Sequence, residues 1–369
     1  TRSWWPCTRC ARPSAAAPAP KRVAVLDELR WAAARQRGER LLRAVVMGCK
    51  RLLSERGETN SMAIARGLIE HLDELDGWQL DAFFDYLATD LSPDPKAVLL
   101  HAQAYADRPD AQRLIALTQV AEPPRQELLR RLNRTPGGTA SILRLRRELL
   151  HRLDKRPQLA AFEADMLHLL TSWFNPGFLK MTRVDWNSPA RLLEKIIHHE
   201  AVHTIDGWDD LRRRLQPDRR CFAFFHPQLP DEPLIFVEIA LLPDMPAAIT
   251  PLLDKASAPL LNDKFRVAAF YGISNCEPGL RGVSLGNFLI KRVAEQLQRE
   301  LPRLRTFCTL SPVPGLAAWL LAPVPALVRQ HLDSQFNILT QTCRQHTVDL
   351  RQVREFWQIS RSVTLSALT

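Results

Sequence analysis

The sequence predicts an α+β fold, in which an all-helical N-terminal part precedes an α/β domain with a mixed sheet. Three observations predict it. From Val23 to Trp173, apolar residues recur three and four positions apart, as they do in amphipathic helices. Strand-like apolar runs follow at residues 221–226 and 234–242. A glycine-rich turn at residues 279–286 then separates a third apolar run from an amphipathic helix and a fourth run.

The composition is that of a globular protein with a basic surface. The chain has 369 residues, of which 46% are apolar, and this length is enough for two domains and a substantial core. The formal net charge is +10. Arg-rich stretches at residues 125–134, 144–147 and 212–214 lie in helical patterns beside Glu and Leu, so we interpret them mainly as solvated helix faces. We therefore expect no nucleic-acid partner, and no apolar run has the length of a membrane span.

The cysteines and the first residues bear on the cellular compartment. Seven scattered cysteines favour a reducing compartment over a disulfide framework, and we expect a cytoplasmic protein. We expect residues 1–44 to be a leader, disordered or partly helical. The leader is basic and contains no acidic residue before Asp27, so the location would be mitochondrial if it served as a transit peptide.

Proline and glycine clusters divide the helical part into short helices, which predicts a helical domain over residues 45–175. After Asn175-Pro176-Gly177 the pattern changes to strand-like. The first two apolar runs are joined by residues 227–233, and this connection predicts a hairpin with a loose loop. The remaining predicted elements are a strand, a helix and a strand, over residues 265–274, 284–300 and 306–310.

His199, Glu200 and His203 match the His-Glu-x-x-His pattern of zinc metalloproteases. On one helix, the two imidazoles would share a face and bind one zinc ion while the glutamate activates water. A third ligand at a suitable distance is missing, because Asp206 is too near and His226 lies on a predicted strand. A zinc hydrolase is therefore a remote alternative, and we expect no metal site.

The turn that follows the third strand is suited to binding a phosphate. It contains Gly279, Gly282 and Gly286, in a chain with only 14 glycines. Backbone N–H groups of such a turn can approach a diphosphate closely, and the dipole of the next helix favours its negative charge. The spacing matches neither the dinucleotide-binding fingerprint nor a P-loop, which needs a Lys-Ser/Thr pair. Taken alone, the glycines are also compatible with a tight turn that binds nothing.

The order of strand, glycine turn and helix resembles the pyrophosphate loop of the acetyltransferase-like (GNAT) fold. The amino-acid sequence of this region gives a more specific resemblance than the order of its elements. Tyr-Gly-Ile-Ser-Asn-Cys at residues 271–276, Gly-Leu-Arg-Gly-Val-Ser-Leu-Gly-Asn at 279–287 and Thr-Leu-Ser-Pro-Val-Pro-Gly at 309–315 resemble the malonyl-CoA decarboxylase family. Further similar segments lie at residues 123–133, 173–178 and 200–214, and the resemblance runs from about Leu52 to Trp319.

The resemblance implies that malonyl-CoA is converted to acetyl-CoA and CO2, as part of fatty-acid and malonate metabolism. It implies a GNAT-like catalytic domain over residues 176–325 that uses no metal or organic cofactor. The helical domain would serve in assembly, so we expect a homo-oligomer. Ser311 matches the family's catalytic serine. The residues expected to bind the CoA diphosphate are Gly279, Arg281, Gly282, Val283, Ser284, Leu285, Gly286 and Asn287, with Lys291 adding charge.

The chain departs from the family pattern in several places. The family pairs its serine with a histidine in a Phe-His-Leu-x-Asn-Gly segment that this sequence lacks, and His331 and His346 have other surroundings. Some members carry serine at position 272 and glutamate at 284, where this chain has Gly272 and Ser284. We expect residues 326–369 to be a divergent tail, left by truncation or a frameshift, and turnover to be impaired. The alternatives are a GNAT-like acyltransferase or a non-catalytic CoA-binding protein.

Overall fold

The computed structural model describes residues 21–260 and 264–310, and only the backbone of residues 21–29 and 287. The described residues up to Cys308 belong to one compact unit. The part before the first described strand is helical. Its helices are α1 (Lys21–Ser54), α2 (Glu58–Asp73), α3 (Gly77–Thr89), α4 (Pro95–Asp107), α5 (Ala111–Ala121), α6 (Pro124–Asn133), α7 (Gly138–Leu150) and α8 (Ala160–Trp173).

Local signals explain where several of these helices begin. Asp94 and Asp110 precede α4 and α5, and each carboxylate accepts a backbone N–H of the first turn. Proline occupies the first position of α4 and of α6, where no intrahelical N–H bond is needed. Helix α1 continues through residues 44 and 45, where the sequence suggested a boundary between leader and helical domain. Within the described residues, no helix combines the length and hydropathy needed to cross a membrane.

The second part contains a five-stranded sheet in the order β1-β2-β3-β4-β5. The pairs β1–β2, β2–β3 and β3–β4 are antiparallel. After a helical crossover, β5 begins beside the start of β4, where the amides of Arg305 and Thr306 donate to the carbonyl of Arg266. The elements are β1 (Lys180–Val184), α9 (Ala190–His199), α10 (Gly207–Arg214), β2 (Arg219–His226), β3 (Leu229–Leu242), α11 (Thr250–Leu253), β4 (Val267–Asn275), α12 (Gly286–Glu300) and β5 (Thr306–Thr309).

The predicted fold class, a helical N-terminal part followed by a mixed sheet with helices, is confirmed. The predicted loose loop over residues 227–233 is wrong, because β3 already begins at Leu229. Register shifts on either side of Phe225 absorb the irregular start of β3, which contains Pro230 and Pro233. Strand β1 was not predicted, since its five residues alternate too weakly between buried and exposed to stand out in the sequence.

Both faces of the sheet are covered. Successive side chains of a strand point to opposite faces, so neighbouring residues of one strand enter different cores. On one face, Phe222, Phe224 and Val237 share a core with α1–α3, α6–α8 and α12. On the other face, Cys221, Ala223 and Phe236 pack against α9 and α10. The near-continuous apolar runs of β2 and β3 therefore reflect burial on two sides.

The prediction that the Arg-rich stretches are solvated helix faces is wrong for four arginines. Arg125, Arg146, Arg213 and Arg214 are all less than a tenth exposed. Each of them forms an ion pair with a carboxylate, and the partners are Asp165, Glu163, Asp218 and Asp210. Burial of a guanidinium requires such partners, because an unpaired buried charge is strongly destabilising.

We predict that Gly138→Ala destabilises the fold by about 3 kcal/mol, because an added Cβ would overlap the backbone carbonyl of Leu132 at the turn between α6 and α7. The matched control is Gly67→Ala in α2, where an added Cβ meets no atom of the described part of the chain within 4 Å. That change should stabilise the fold by about 0.5–1 kcal/mol, since alanine is the better helix former. Urea unfolding of the three proteins measures both effects, and equal stability of Gly138→Ala and the parent chain would contradict the described turn.

Candidate functional site

The predicted phosphate-binding turn lies between the end of β4 at Asn275 and the start of α12 at Gly286. It opens with a short 3-10 turn over Pro278–Leu280 that packs against α7. The side chain of Glu277 accepts the N–H of Gly279 at 2.9 Å, which closes this turn on itself. The turn therefore rests on the helical layer as well as on the sheet.

The backbone N–H groups of the turn fall into two sets. Those of Gly279, Leu280, Arg281 and Val283 donate to oxygen atoms inside the turn. The N–H groups of residues 282 and 284–286 have no acceptor among the described residues, and the first turn of α12 leaves further N–H groups unpaired. Unpaired amides at a helix N-terminus, aided by the helix dipole, can bind an anion.

The three glycines have different structural roles. A Cβ at Gly279 would lie 2.5 Å from the carbonyl oxygen of Leu143 in α7, so this glycine permits close packing of the turn on that helix. Gly282 has a φ of 89°, in the left-handed region that favours glycine. No atom of the described residues lies within 4 Å of a Cβ at Gly286, so these residues leave space in front of the helix N-terminus.

The other predicted binding residues divide between the surface and the core. The side chains of Val283 and Leu285 pack with the core, so only their backbones are available to a ligand. Arg281, Ser284 and Lys291 are exposed. Neither of the two cations forms an ion pair with a described residue, which leaves their charge available to an anion near the turn.

Two predicted site residues cannot be placed in full. Only the backbone of Asn287 is described, as the second residue of α12. Ser311 lies outside the described residues, and β5 ends at Thr309, two positions before it in the sequence. Their proposed roles stay predictions.

Arg146 is a residue that the sequence reasoning missed. Its side chain is 1% exposed, and its guanidinium donates to the carbonyl oxygens of Gly279 at 2.6 Å and of Arg281 at 2.7 Å. A signal for its burial was present, because Arg146 lies four residues after Ile142 and three before Leu149, on the apolar face of α7. The charge pattern of the Arg-rich stretch concealed this position.

The His-Glu-x-x-His motif does not have the geometry of a zinc site. Helix α9 ends at His199, so the two histidines do not share one helix face. Glu200 accepts the N–H groups of Val202 and His203 at 2.9 and 2.8 Å, and the hydroxyl of Ser274 at 2.8 Å. It thus fixes the loop after α9 onto β4. Among the described residues, no group of three or more His, Cys, Asp or Glu side chains is placed to hold a metal ion.

Gly272, where some family members have serine, faces the carboxylate of Glu238 on the neighbouring strand. A Cβ at this position would lie 2.5 Å from Oε2 of Glu238, so the glycine makes room for that carboxylate. Arg214 donates to the same oxygen at 3.0 Å. Asp210 of α10, Glu200, Tyr271 of β4 and Cys221 of β2 complete the charged and titratable surroundings of this buried pair.

Sequence models of the malonyl-CoA decarboxylase N-terminal and C-terminal domains match residues 91–174 and 177–362. The chain belongs to the malonyl-CoA decarboxylase family. The resemblance found in the motifs is thereby confirmed. The gap between the two matches falls at residues 175–176, and the second match continues past residue 325, where the sequence suggested that a divergent tail begins.

Solved structures of family members resemble the chain over most of its length. Malonyl-CoA decarboxylase from Rhodopseudomonas palustris is 48% identical to this chain and superposes with a TM-score of 0.71. The match covers 79% of this chain and 71% of that protein. The protein of the same name from Agrobacterium vitis is 47% identical and superposes with a TM-score of 0.71. This match covers 76% of this chain and 69% of that protein.

Curated relatives are longer than this chain. Malonyl-CoA decarboxylase from Anser anser anser is 35% identical over 252 residues, which are 67% of this chain and 48% of the relative. That from Mus musculus is 38% identical over 210 residues, or 55% of this chain and 43% of the relative. The chain thus spans about half the length of the curated relatives it matches. Both relatives are described as mitochondrial, and the cytoplasmic location of this chain stays a prediction.

We predict that stability falls with rising pH through the titration of Glu238. Burial raises the pKa of this carboxyl group from 4.5 to about 8, although Arg214 opposes the shift, and Glu200 adds to it. The folded protein therefore keeps a proton that the unfolded chain releases near pH 4.5. The free energy of unfolding should fall between about pH 5 and pH 8, by at most about 1.4 kcal/mol per pH unit.

The control for this prediction is Glu238→Gln, which keeps an acceptor for Arg214 but cannot titrate. Urea unfolding of both proteins from pH 5 to pH 9 gives the difference in slope that belongs to Glu238. Identical slopes would show that the carboxyl group has an ordinary pKa in the folded state.

Proposed function

We propose that this chain binds malonyl-CoA at the glycine turn and converts it to acetyl-CoA and CO2. One observation carries the proposal: the N–H groups of residues 282 and 284–286 lack described acceptors, at the start of α12 and beside the exposed Arg281. Such a site suits the diphosphate of CoA. Family membership supports the identity of the ligand, because the relatives carry the name malonyl-CoA decarboxylase.

The proposed reaction breaks the bond between the carboxylate carbon and the methylene carbon of the malonyl group. The electron pair of that bond moves towards the thioester carbonyl, CO2 leaves, and an enolate remains. An acid then protonates the methylene carbon and gives the acetyl thioester. Because the thioester itself accepts the electron pair, the protein has to supply donors for the developing negative oxygen and a source for one proton.

We propose Ser311 as the residue that donates to the reacting group. It matches the family's catalytic serine and follows β5 in the sequence. Its hydroxyl would donate to the thioester oxygen or to the carboxylate, and would relay the proton. The sequence identifies no counterpart of the family's histidine partner. We therefore expect the chain to bind malonyl-CoA but to decarboxylate it slowly.

The products distinguish this proposal from the acyltransferase alternative. Decarboxylation leaves acetyl-CoA together with CO2, whereas transfer of the acyl group to an acceptor releases free CoA. Chromatography of the thioesters after incubation with malonyl-CoA measures both. Binding of CoA without either product would leave a non-catalytic CoA-binding protein, and absence of binding would contradict the proposed site.

We predict that Gly286→Val weakens CoA binding at least about tenfold without loss of stability. The new side chain would fill the open space in front of the α12 N-terminus and block approach to its amides. Isothermal calorimetry with CoA measures the affinity, and thermal unfolding checks the fold. Gly67→Val in α2, where a Cβ also meets no atom of the residues that the structure describes, controls for a general effect of replacing glycine in a helix. Unchanged affinity in Gly286→Val would exclude the diphosphate from this position.

We also propose that the chain forms a homo-oligomer through the hairpin of α4 and α5. Neither helix has a fully buried side chain, and the two pack chiefly on each other. Their large exposed apolar side chains are Leu99, Leu100, Leu114 and Ile115, each 46–64% exposed. Exposed apolar patches of this kind mark protein interfaces. The resemblance assigns the helical domain to assembly, which favours a second copy of this chain as the partner.

We predict that the double variant Leu100→Glu with Ile115→Glu lowers the molar mass in solution. Four charges would be buried in a symmetric dimer contact without partners, which disfavours association. Light scattering coupled to size-exclusion chromatography measures the mass. Met47→Glu, at another exposed apolar position of the helical layer, should leave the mass unchanged. A parent chain that is monomeric at micromolar concentration would contradict the proposal.

A further inference from the structure

We infer that Arg146 is a positioning residue that orients the peptide group between Arg281 and Gly282, so that the N–H of Gly282 faces the CoA diphosphate. The inference rests on the proposed function of the turn. It assigns part of the phosphate site to the helical layer, because Arg146 belongs to α7.

The guanidinium of Arg146 has three acceptors from two directions. Nη1 donates to the carbonyl oxygen of Gly279 at 2.6 Å, and Nη2 donates to that of Arg281 at 2.7 Å. Nη2 also donates to Oε1 of Glu163 in α8 at 2.7 Å. The side chain is 1% exposed, so solvent does not compete for these bonds. The buried guanidinium thus holds two carbonyl groups of the turn towards α7.

The orientation of a carbonyl also sets the orientation of the next N–H. In a trans peptide group the two point in opposite directions. Because the carbonyl of Arg281 points to Arg146, the N–H of Gly282 points away from α7. Gly282 is exposed, and its N–H has no acceptor among the described residues. The peptide group is therefore arranged to offer this donor to a ligand on the outer side of the turn.

The turn needs such a restraint because of the glycine. Gly282 has a φ of 89°, and glycine tolerates both signs of φ, so the peptide group before it has alternative orientations at low cost. The turn also lies close to the helices beneath it. A Cβ on Gly279 would be 2.5 Å from the carbonyl oxygen of Leu143 in α7, and one on Gly282 would be 3.4 Å from the side chain of Leu167 in α8.

The effect of Arg146 is geometric rather than a matter of net charge. Glu163 pairs with it, so the pair as a whole is neutral. Lysine would keep the charge but lacks the planar fork that reaches two carbonyl groups and a carboxylate at once. Arg146→Lys should therefore free the peptide group while the buried charge stays paired.

The test compares three probes on the full chain. These are CoA, inorganic diphosphate, and pantetheine, which lacks the diphosphate. In Arg146→Lys, the dissociation constants for CoA and diphosphate should rise about tenfold, and that for pantetheine should stay within about twofold. Calorimetry and NMR titration measure them. Equal weakening of all three probes would indicate a general structural defect and overturn the inference, as would unchanged affinity for diphosphate.

Two further variants complete the test. Arg144→Lys lies two residues earlier on α7 and faces Asp73 of α2 instead of the turn, so all three affinities should stay unchanged. Should Arg146→Lys fail to fold, Glu163→Gln keeps an acceptor but removes the charge that holds the guanidinium. It should weaken CoA and diphosphate binding about threefold and leave pantetheine binding unchanged. If Glu163→Gln shows no such selective loss, the inference is overturned. If the parent chain binds neither CoA nor diphosphate, the proposed function itself fails.

Discussion

The buried guanidinium of Arg146 lies where α7, α8 and the glycine turn meet. Taking an arginine out of water is costly unless its donors are satisfied and its charge is paired. Here the carboxylate of Glu163 pairs the charge, and two backbone carbonyls accept from Nη1 and Nη2, while Nε has no acceptor among the described residues. Separating the turn from α7 would remove two carbonyl acceptors from this guanidinium, and separating α8 would remove its charge partner. The turn therefore takes its shape from the helical layer, although it belongs by sequence to the sheet.

Strand β4, which leads into the turn, is fixed on its other face by a second set of buried polar contacts. Ser274 donates to Glu200 in the loop after α9, and Glu238 lies opposite Gly272. Arg214 joins Glu238 to α10. Buried polar contacts thus hold β4 from one side, and the ion pair of Arg146 with Glu163 supports the turn from the other. Together they fix the segment that leads into α12, and the anion site proposed for its first turn depends on such rigidity.

Features with a local signal were predictable from the sequence. The periodicity of α12, the apolar runs of β2 and β3 and the clustered glycines all depend on neighbours within a few residues. Arg146 was not predictable in the same way, since its backbone acceptors lie 133 and 135 residues further along the chain. The structural role of Glu200 was not predictable for a related reason. Its motif fits a helix, but the helix ends at His199, and the carboxylate instead binds the loop and a serine 74 residues away.

The larger hydrophobic core runs without a break from Val45 in α1, through Phe224 of β2, to Leu297 in α12. Among the described residues, the helical layer and the sheet therefore share one hydrophobic core, although two separate domain models of the family match them. The two parts share one set of apolar contacts, so heat or denaturant should melt them in a single cooperative transition. A destabilising change in a helix far from the glycine turn then lowers the population of folded chains, and with it the population of the proposed ligand site, through the common folding equilibrium.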